Sequence, residues 1–116
     1  NTADRSIALV DHALRRRFAF VGLYPRYEVL TSWHARNQTG LDPTGLIAVL
    51  KRLNRAIDDP NYAVGISFFM VQDPHVALPS VWRMEVEPYL EEFFFDQRDT
   101  VEQFRWDRIS DEVLGS

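Results

Sequence analysis

A continuous apolar run at residues 18–23, Phe-Ala-Phe-Val-Gly-Leu, most constrains what this chain can fold into. Tyr24 and Pro25 follow it, and a proline there stops the backbone hydrogen bonding of a strand. A short run that is apolar on both faces is typical of a strand buried within a sheet. Such a strand needs partner strands, and the remaining sequence supplies scarcely any. We therefore expect a core strand whose sheet lies in a missing part of a larger domain.

The segment before this strand has the pattern of an amphipathic helix. Thr2 or Asp4 can cap its amino end, and Arg15–Arg17 fall at its carboxyl end, where the helix dipole favours cations. Apolar residues recur at three- and four-residue spacing, which places them on one helical face: Ile7, Val10, Leu14 and Phe18.

Downstream of Pro25 the periodicity predicts mainly helices. We expect a helix over about 27–37, then a strongly amphipathic helix with Asp42 as its N-cap and Pro43 at its first position. The inward faces comprise Val29, Leu30 and Trp33 in the first helix, and Leu46, Leu50, Leu53 and Ile57 in the second.

The remainder mixes one extended piece with shorter helices. Alternating apolar residues over 62–70 predict a strand or extended segment. A helix is expected over 81–95, with Pro88 kinking or restarting it. Thr100 and Gln103 have the spacing of a capping box for a last short helix, and the tail from Ser110 onward is expected to fray. The predicted fold is thus mainly α.

Composition limits the classes of protein that the chain can belong to. Its 116 residues make one domain or part of one, and 46% apolar residues suffice for a core. A formal net charge of −4, without a basic patch, argues against a dedicated nucleic-acid surface. The absence of cysteine excludes disulfides and thiolate metal sites. Neither a signal peptide nor an apolar run of about 18 residues is present, which predicts a soluble, cytoplasmic chain.

Few residues offer chemistry by local rules alone. Successive helical positions point about 100° apart, so the three arginines at 15–17 cannot all face one ligand. One or two could reach a phosphate, or all could form a solvated helix end. Asn1 could position a water molecule, or the opening residues could simply cap the helix. No metal site is expected, because the histidines lack ligand spacing: His12, His34 and His75.

Aromatic and acidic residues crowd the region from 91 to 106. The adjacent Glu91 and Glu92 are expected on solvated helix faces, since neighbouring helical positions point apart. A platform for stacking bases would need interleaved basic residues, so the aromatic side chains are expected to pack in the core: Phe93, Phe94, Phe95, Phe104 and Trp106.

Three stretches carry a resemblance to a known family. The opening NTADRSIALVDHALRRRF closely resembles the sensor-1 to arginine-finger segment of AAA+ NTPases, above all the McrB-type branch, the GTP-hydrolysing motor subunits of 5-methylcytosine-specific restriction systems. GISFFM at 65–70 is similar to that branch's Gly-His-Ser-Tyr-Phe motif, and EVEPYLEEFFFDQ is similar to its lid-helix ending. The resemblance implies that residues 1–25 end an AAA+ α/β core, with one helix and one core strand, and that residues 26–116 form a helical lid.

The resemblance also implies site residues in the opening segment: Asn1, Asp4, Arg5, Arg15, Arg16 and Arg17. The asparagine would be sensor 1, which orients the attacking water near the γ-phosphate. The aspartate and the first arginine would support that geometry or the subunit contact. The three adjacent arginines match the helix end that meets the neighbouring subunit's nucleotide, the last two being our first choices for the finger. Ile66 and Phe68 depart from the family's His and Tyr, which removes two polar groups from the lid.

In this family the P-loop and the Walker-B acid precede sensor 1, so both would lie upstream of Asn1. We therefore expect a fragment of an NTPase that uses ATP or GTP with Mg²⁺ in the full-length protein and is inactive alone, with no nucleotide tightly bound. The full-length protein is expected to form a homo-oligomeric ring that drives a nuclease subunit on DNA. The fragment itself, with an orphaned strand, is expected to self-associate.

Other functions stay open at this point. A MoxR-like AAA+ ATPase chaperone would share the fold, and a small helical interaction module would lack catalysis, although the partnerless strand disfavours it. Asn-Thr-Ala-Asp also resembles the Asn-Lys-x-Asp motif by which small GTPases read guanine, with Asp4 accepting from the base. The AAA+ resemblance instead places Asn1 at the γ-phosphate, far from the base.

Overall fold

The computed structural model describes residues 25–115, which form short α-helices around one apolar core. In that range no strand occurs, which confirms the mainly helical fold; the predicted core strand and the helix before it lie outside the described residues. The helices are α1 (Tyr27–Arg36), α2 (Thr44–Ile57), α3 (Pro74–Val81), α4 (Glu87–Phe93), α5 (Arg98–Gln103) and α6 (Trp106–Leu114), with a 3₁₀ turn at Ser67–Phe69 and a π-helical stretch at Trp82–Val86.

The first two helices follow their apolar patterns closely. In α1 the buried residues are Leu30 and His34, four residues apart, while Val29 and Trp33 are half-buried. The N-cap of α2 is Pro43 rather than Asp42, so the predicted start is one residue too early, although the Oδ1 atom of Asp42 accepts a hydrogen bond from the Thr44 N–H at 3.0 Å. All four apolar positions predicted for α2 are buried: Leu46, Leu50, Leu53 and Ile57.

Helix α6 packs against α2 and closes the core. A Cβ placed on Gly45 would lie 1.8 Å from the carbonyl oxygen of Glu112, so only glycine allows the two backbones to approach this closely. The Arg52 guanidinium donates to both carboxylate oxygens of Glu112, at 2.7 and 2.9 Å, and these hydrogen bonds lower the pKa of Glu112. Val113 is fully buried, so the prediction of a frayed tail from Ser110 is wrong.

Helices α3 and α4 are joined by the π-helical stretch into one continuous helical segment over 74–93. This segment begins seven residues earlier than predicted, with Pro74 at its first position, so His75 lies in a helix. Pro88 has no N–H to donate to the carbonyl four residues back. The chain accommodates it by the wider turn just before, in which the N–H of Glu87 reaches the carbonyl of Trp82.

The region after α4 forms two short helices instead of one. Thr100 lies within α5, and the predicted capping box with Gln103 is wrong. The next helix, α6, is instead capped from a distance, because the Oε2 atom of Glu87 accepts from the N–H of Trp106 at 2.8 Å. The buried Trp82 indole N–H donates to the carbonyl of Phe104 at 2.6 Å, which fixes the junction between α5 and α6 on the core.

Candidate functional site

The residues implied for catalysis and nucleotide binding all lie outside the described residues: Asn1, Asp4, Arg5, Arg15, Arg16 and Arg17. Their roles stay predictions. Two surfaces of the described part have the geometry of functional regions: residues 62–70, which we call the motif segment, and a face built by α4 and α5.

The motif segment is extended only in part. Residues 63–65 are irregular, and Ser67–Phe69 forms the 3₁₀ turn, so the strict alternation predicted for 62–70 does not hold. Phe69 rather than Phe68 is the fully buried ring. A 3₁₀ turn repeats every three residues, and this shifts the inward position by one.

A buried amide anchors the middle of the motif segment. The Asn54 side chain is 1% exposed; its Oδ1 accepts from the N–H of Val64 at 2.7 Å and its Nδ2 donates to the carbonyl of Val64 at 3.1 Å. Nδ2 also donates to the hydroxyl of Tyr27 at 3.0 Å. The amide therefore satisfies both backbone groups of one residue, as a neighbouring strand would.

Two further side chains anchor the ends of the motif segment. The Tyr89 hydroxyl donates to the carbonyl of Tyr62. At the other end, Nε2 of the buried His34 lies 2.8 Å from the carbonyl of Phe69, and Nδ1 lies 2.7 Å from the hydroxyl of Thr39. A carbonyl can only accept, so Nε2 carries a proton and donates it to the carbonyl of Phe69.

Three buried polar side chains from three helices thus hold a nine-residue loop at its start, middle and end. Every buried side-chain nitrogen and oxygen of the described residues has a hydrogen-bond partner. Such satisfied networks rigidify the backbone that they hold. The departures from the family motif, Ile66 and Phe68, are half-buried against the core, and between them Ser67 is exposed. The segment can therefore offer a hydroxyl at a fixed position.

The second surface centres on one arginine among carboxylates. Arg105 contacts Glu87 at 3.0 Å, Glu91 at 2.9 Å and Glu102 at 2.7 Å. The hydrogen bond that Arg105 donates to Glu102 has the largest effect in raising the pKa of Arg105, with those to Glu91 and Glu87 adding to it, because each carboxylate favours the charged guanidinium. Arg105 also places Glu87 to cap α6.

A groove of about 420 Å³ opens beside this cluster. Its floor contains Phe94 and Val101, which are buried, and its edge contains Phe95, which is 42% exposed. Phe95 is the exception to the prediction that the carboxyl-terminal aromatics pack in the core, since Phe94, Phe104 and Trp106 are buried and Phe93 is half-buried. We call this feature the acidic groove; it is lined by Glu91, Phe94, Phe95, Arg98, Val101, Glu102 and Arg105, and Asp96 and Asp99 adjoin it.

Sequence reasoning missed the anchors, although their helices carry a signal. His34 is four residues after Leu30, and Asn54 is four residues after Leu50, so each polar residue sits on an apolar face. A polar residue on such a face must find a buried hydrogen-bond partner. A helical pattern cannot identify that partner, which lies 35 residues from His34 and 10 residues from Asn54 along the sequence.

The part of the chain that the structure describes contains neither a candidate metal site nor a membrane-spanning helix. Between residues 25 and 115, no group of three or more His, Cys, Asp or Glu side chains could hold a metal ion. None of the helices in that range has the length and apolar character needed to cross a membrane.

The fold and the motif segment define a small all-helical lid domain with an anchored loop. Residues 45–102 match the family described as McrB, alpha-helical lid domain, so the chain belongs to the McrB lid family. This confirms the resemblance seen in the sequence. The matched range lies within the predicted lid, 26–116; the boundary at residue 25 stays a prediction.

A named relative gives the same result. The chain is 30% identical over 121 residues to the protein named type IV methyl-directed restriction enzyme EcoKMcrB subunit, from Escherichia coli strain K12. The alignment covers 91% of this chain and 26% of the relative, so the chain spans about a quarter of that protein's length. No solved structure matches the chain.

Proposed function

We propose that this chain is the lid and adjoining sensor segment of a McrB-type AAA+ NTPase. The match of residues 45–102 to the McrB lid family carries the proposal. The motor would bind ATP or GTP with Mg²⁺ between subunits of a homo-oligomeric ring and would use hydrolysis to drive a restriction nuclease on DNA. The name of the Escherichia coli relative, a restriction enzyme subunit, favours this role over a MoxR-like chaperone.

The opening segment would supply the groups that act at the γ-phosphate. The Asn1 amide would orient the attacking water, with Asp4 and Arg5 supporting the loop. An arginine of the run at 15–17 would reach the neighbouring subunit's nucleotide, where a guanidinium stabilises the charge that develops on the transferred phosphoryl group.

The described lid supports this proposal through its rigidity. A lid that closes over a nucleotide must hold its contacting loop within a fraction of an ångström, because small displacements lower the rate strongly. The motif segment meets this need through Asn54, His34 and Tyr89. Ser67 would be its polar contact, since Ile66 and Phe68 replace the two polar side chains of the family motif.

The test measures ATP and GTP hydrolysis by the full-length protein that carries this chain. Substituting Arg16→Ala or Arg17→Ala in separate variants is expected to lower kcat by about 10³-fold for whichever residue is the finger, because an arginine finger contributes at least that much. Arg55→Ala is the matched control, an exposed arginine on α2 that is expected to leave kcat unchanged.

Three outcomes would contradict parts of the proposal. Hydrolysis that survives loss of all three arginines would remove the finger role. An intact protein that hydrolyses neither nucleotide would favour the interaction module. Turnover by the 116-residue chain alone would show that the site is complete within it.

A GTP rate far above the ATP rate would be consistent with a guanine contact, for which Asp4 is the candidate.

A further inference from the structure

The acidic groove plays no part in the proposed hydrolysis, yet it has two properties of a docking surface. The first is apolar. Phe94 and Val101 form a buried floor, and Phe95 exposes 42% of its surface at the edge. An exposed aromatic ring beside a concave apolar floor is typical of a surface that packs against a partner.

The second property is charge. Arg105 is one positive charge in contact with three carboxylates, which leaves that cluster two charges negative. Within residues 25–115 neither Asp96 nor Asp99 has an ion-pair partner. Residues 91–102 contain five acidic residues and one arginine, a net charge of −4, which equals the net charge of the entire chain. The remaining sequence is therefore neutral. Four of these five acidic residues line or adjoin the groove, beside the guanidinium groups of Arg98 and Arg105: Glu91, Asp96, Asp99 and Glu102.

The charge selects the kind of occupant. Phosphates of nucleic acids or of anionic lipids would be repelled here. An arginine side chain would relieve the repulsion among the carboxylates, and an aromatic side chain beside it would cover Phe95. The groove thus fits a cationic segment.

The sequence contains such a segment. Arg15–Arg17 is its only run of three basic residues. If this run is helical, as its pattern predicts, its side chains point about 100° apart, so an arginine that reaches a phosphate leaves another pointing elsewhere. We propose that the acidic groove of one copy binds the Arg15–Arg17 run of a second copy. That the occupant comes from a second copy rests on the proposed ring.

Self-association of the 116-residue chain, measured without nucleotide by sedimentation across a range of concentrations at low salt, tests the proposal. The chain is expected to form dimers or larger species. The double variant Asp96→Lys, Asp99→Lys is expected to raise the dissociation constant at least about tenfold, as for other close charge pairs across an interface. The control Glu28→Lys, Asp111→Lys makes the same change in net charge at exposed positions away from the groove, and it is expected to change the constant less than about twofold.

A charge exchange identifies the partner segment. Arg15→Glu, Arg17→Glu is also expected to lose association, and mixing it with the groove variant is expected to restore it, since both contacts of the mixed dimer again pair opposite charges. Far-ultraviolet circular dichroism checks that each variant keeps its helices. A strictly monomeric wild-type chain, an equal loss in the control, or no recovery on mixing would overturn the proposal. Binding of the segment within its own copy would give the first of these results. Because no hydrolysis is measured, these outcomes are independent of the NTPase test.

Discussion

Asn54 shows how one side chain can take over the hydrogen bonding of a strand. It is almost fully buried and serves both backbone groups of Val64 as well as the hydroxyl of Tyr27. Leaving a buried backbone group without a partner costs about 1–3 kcal/mol, so the contribution of this residue is larger than that of an exposed amide.

We expect Asn54→Ala to lower the free energy of unfolding by about 2–4 kcal/mol, because both polar groups of Val64 would lose their partner. Urea unfolding followed by circular dichroism measures this. Asn61→Ala is the control, since its side chain is exposed and a change within about 0.5 kcal/mol is expected. Similar values for the two variants would mean that water replaces the amide at Val64.

Gly45 lies where α2 packs against α6, and at this position helix propensity and packing favour different residues. On propensity alone, alanine within a helix is favoured over glycine by about 1 kcal/mol. At this position the added Cβ would overlap the carbonyl of Glu112, and neither backbone can yield without separating α2 from α6. Packing should therefore decide whether alanine at this position stabilises or destabilises the domain.

We predict that Gly45→Ala destabilises the domain by about 3 kcal/mol or more, at the upper end of overpacking effects. The control is Gly65→Ala, where a Cβ would meet nothing within 4 Å and the backbone conformation is ordinary. Thermal unfolding of both variants gives the comparison. A neutral or stabilising Gly45→Ala would mean that α6 is not held against α2 as described.

Among the helices, features set by neighbouring residues could be predicted from the sequence, whereas features set by residues distant in the sequence could not. The apolar spacing of α2 is local and was predicted correctly, and the start of the helix was predicted to within one residue. The start of α6 depends on Glu87, 19 residues away, so a search for a cap among adjacent residues placed it wrongly at Thr100. The π-helical turn before Pro88 is a third case: a proline predicts a disturbance, but several backbone solutions exist.

For the whole molecule, the lid extends past the range that matches its family. The match ends at residue 102, yet α6, over Trp106–Leu114, covers α2 and contributes Trp106, Ile109 and Val113 to the core. The sequence predicted the core-facing side of α2 but gave no sign of which element would cover it, because that contact joins residues about 60 positions apart.

Removing residues 106–116 is therefore expected to abolish cooperative unfolding, because the apolar face of α2 would become exposed to water. Differential scanning calorimetry should show no unfolding peak for the shortened chain. Removing Ser116 alone is the control and is expected to leave the transition in place. A cooperative transition in the shortened chain would show that the matched range folds without α6.

The hydrogen bonds between Asn54 and Val64 have a consequence for aggregation at high protein concentration. Residues 62–70 are rich in the branched and aromatic side chains that form fibrils when their backbone is left open to another chain. The N–H and the carbonyl of Val64 are both hydrogen-bonded to Asn54. A second chain therefore cannot pair with the backbone at Val64 unless these two hydrogen bonds first break. The lid thereby contains an aggregation-prone segment whose backbone at Val64 is not free to pair with another chain.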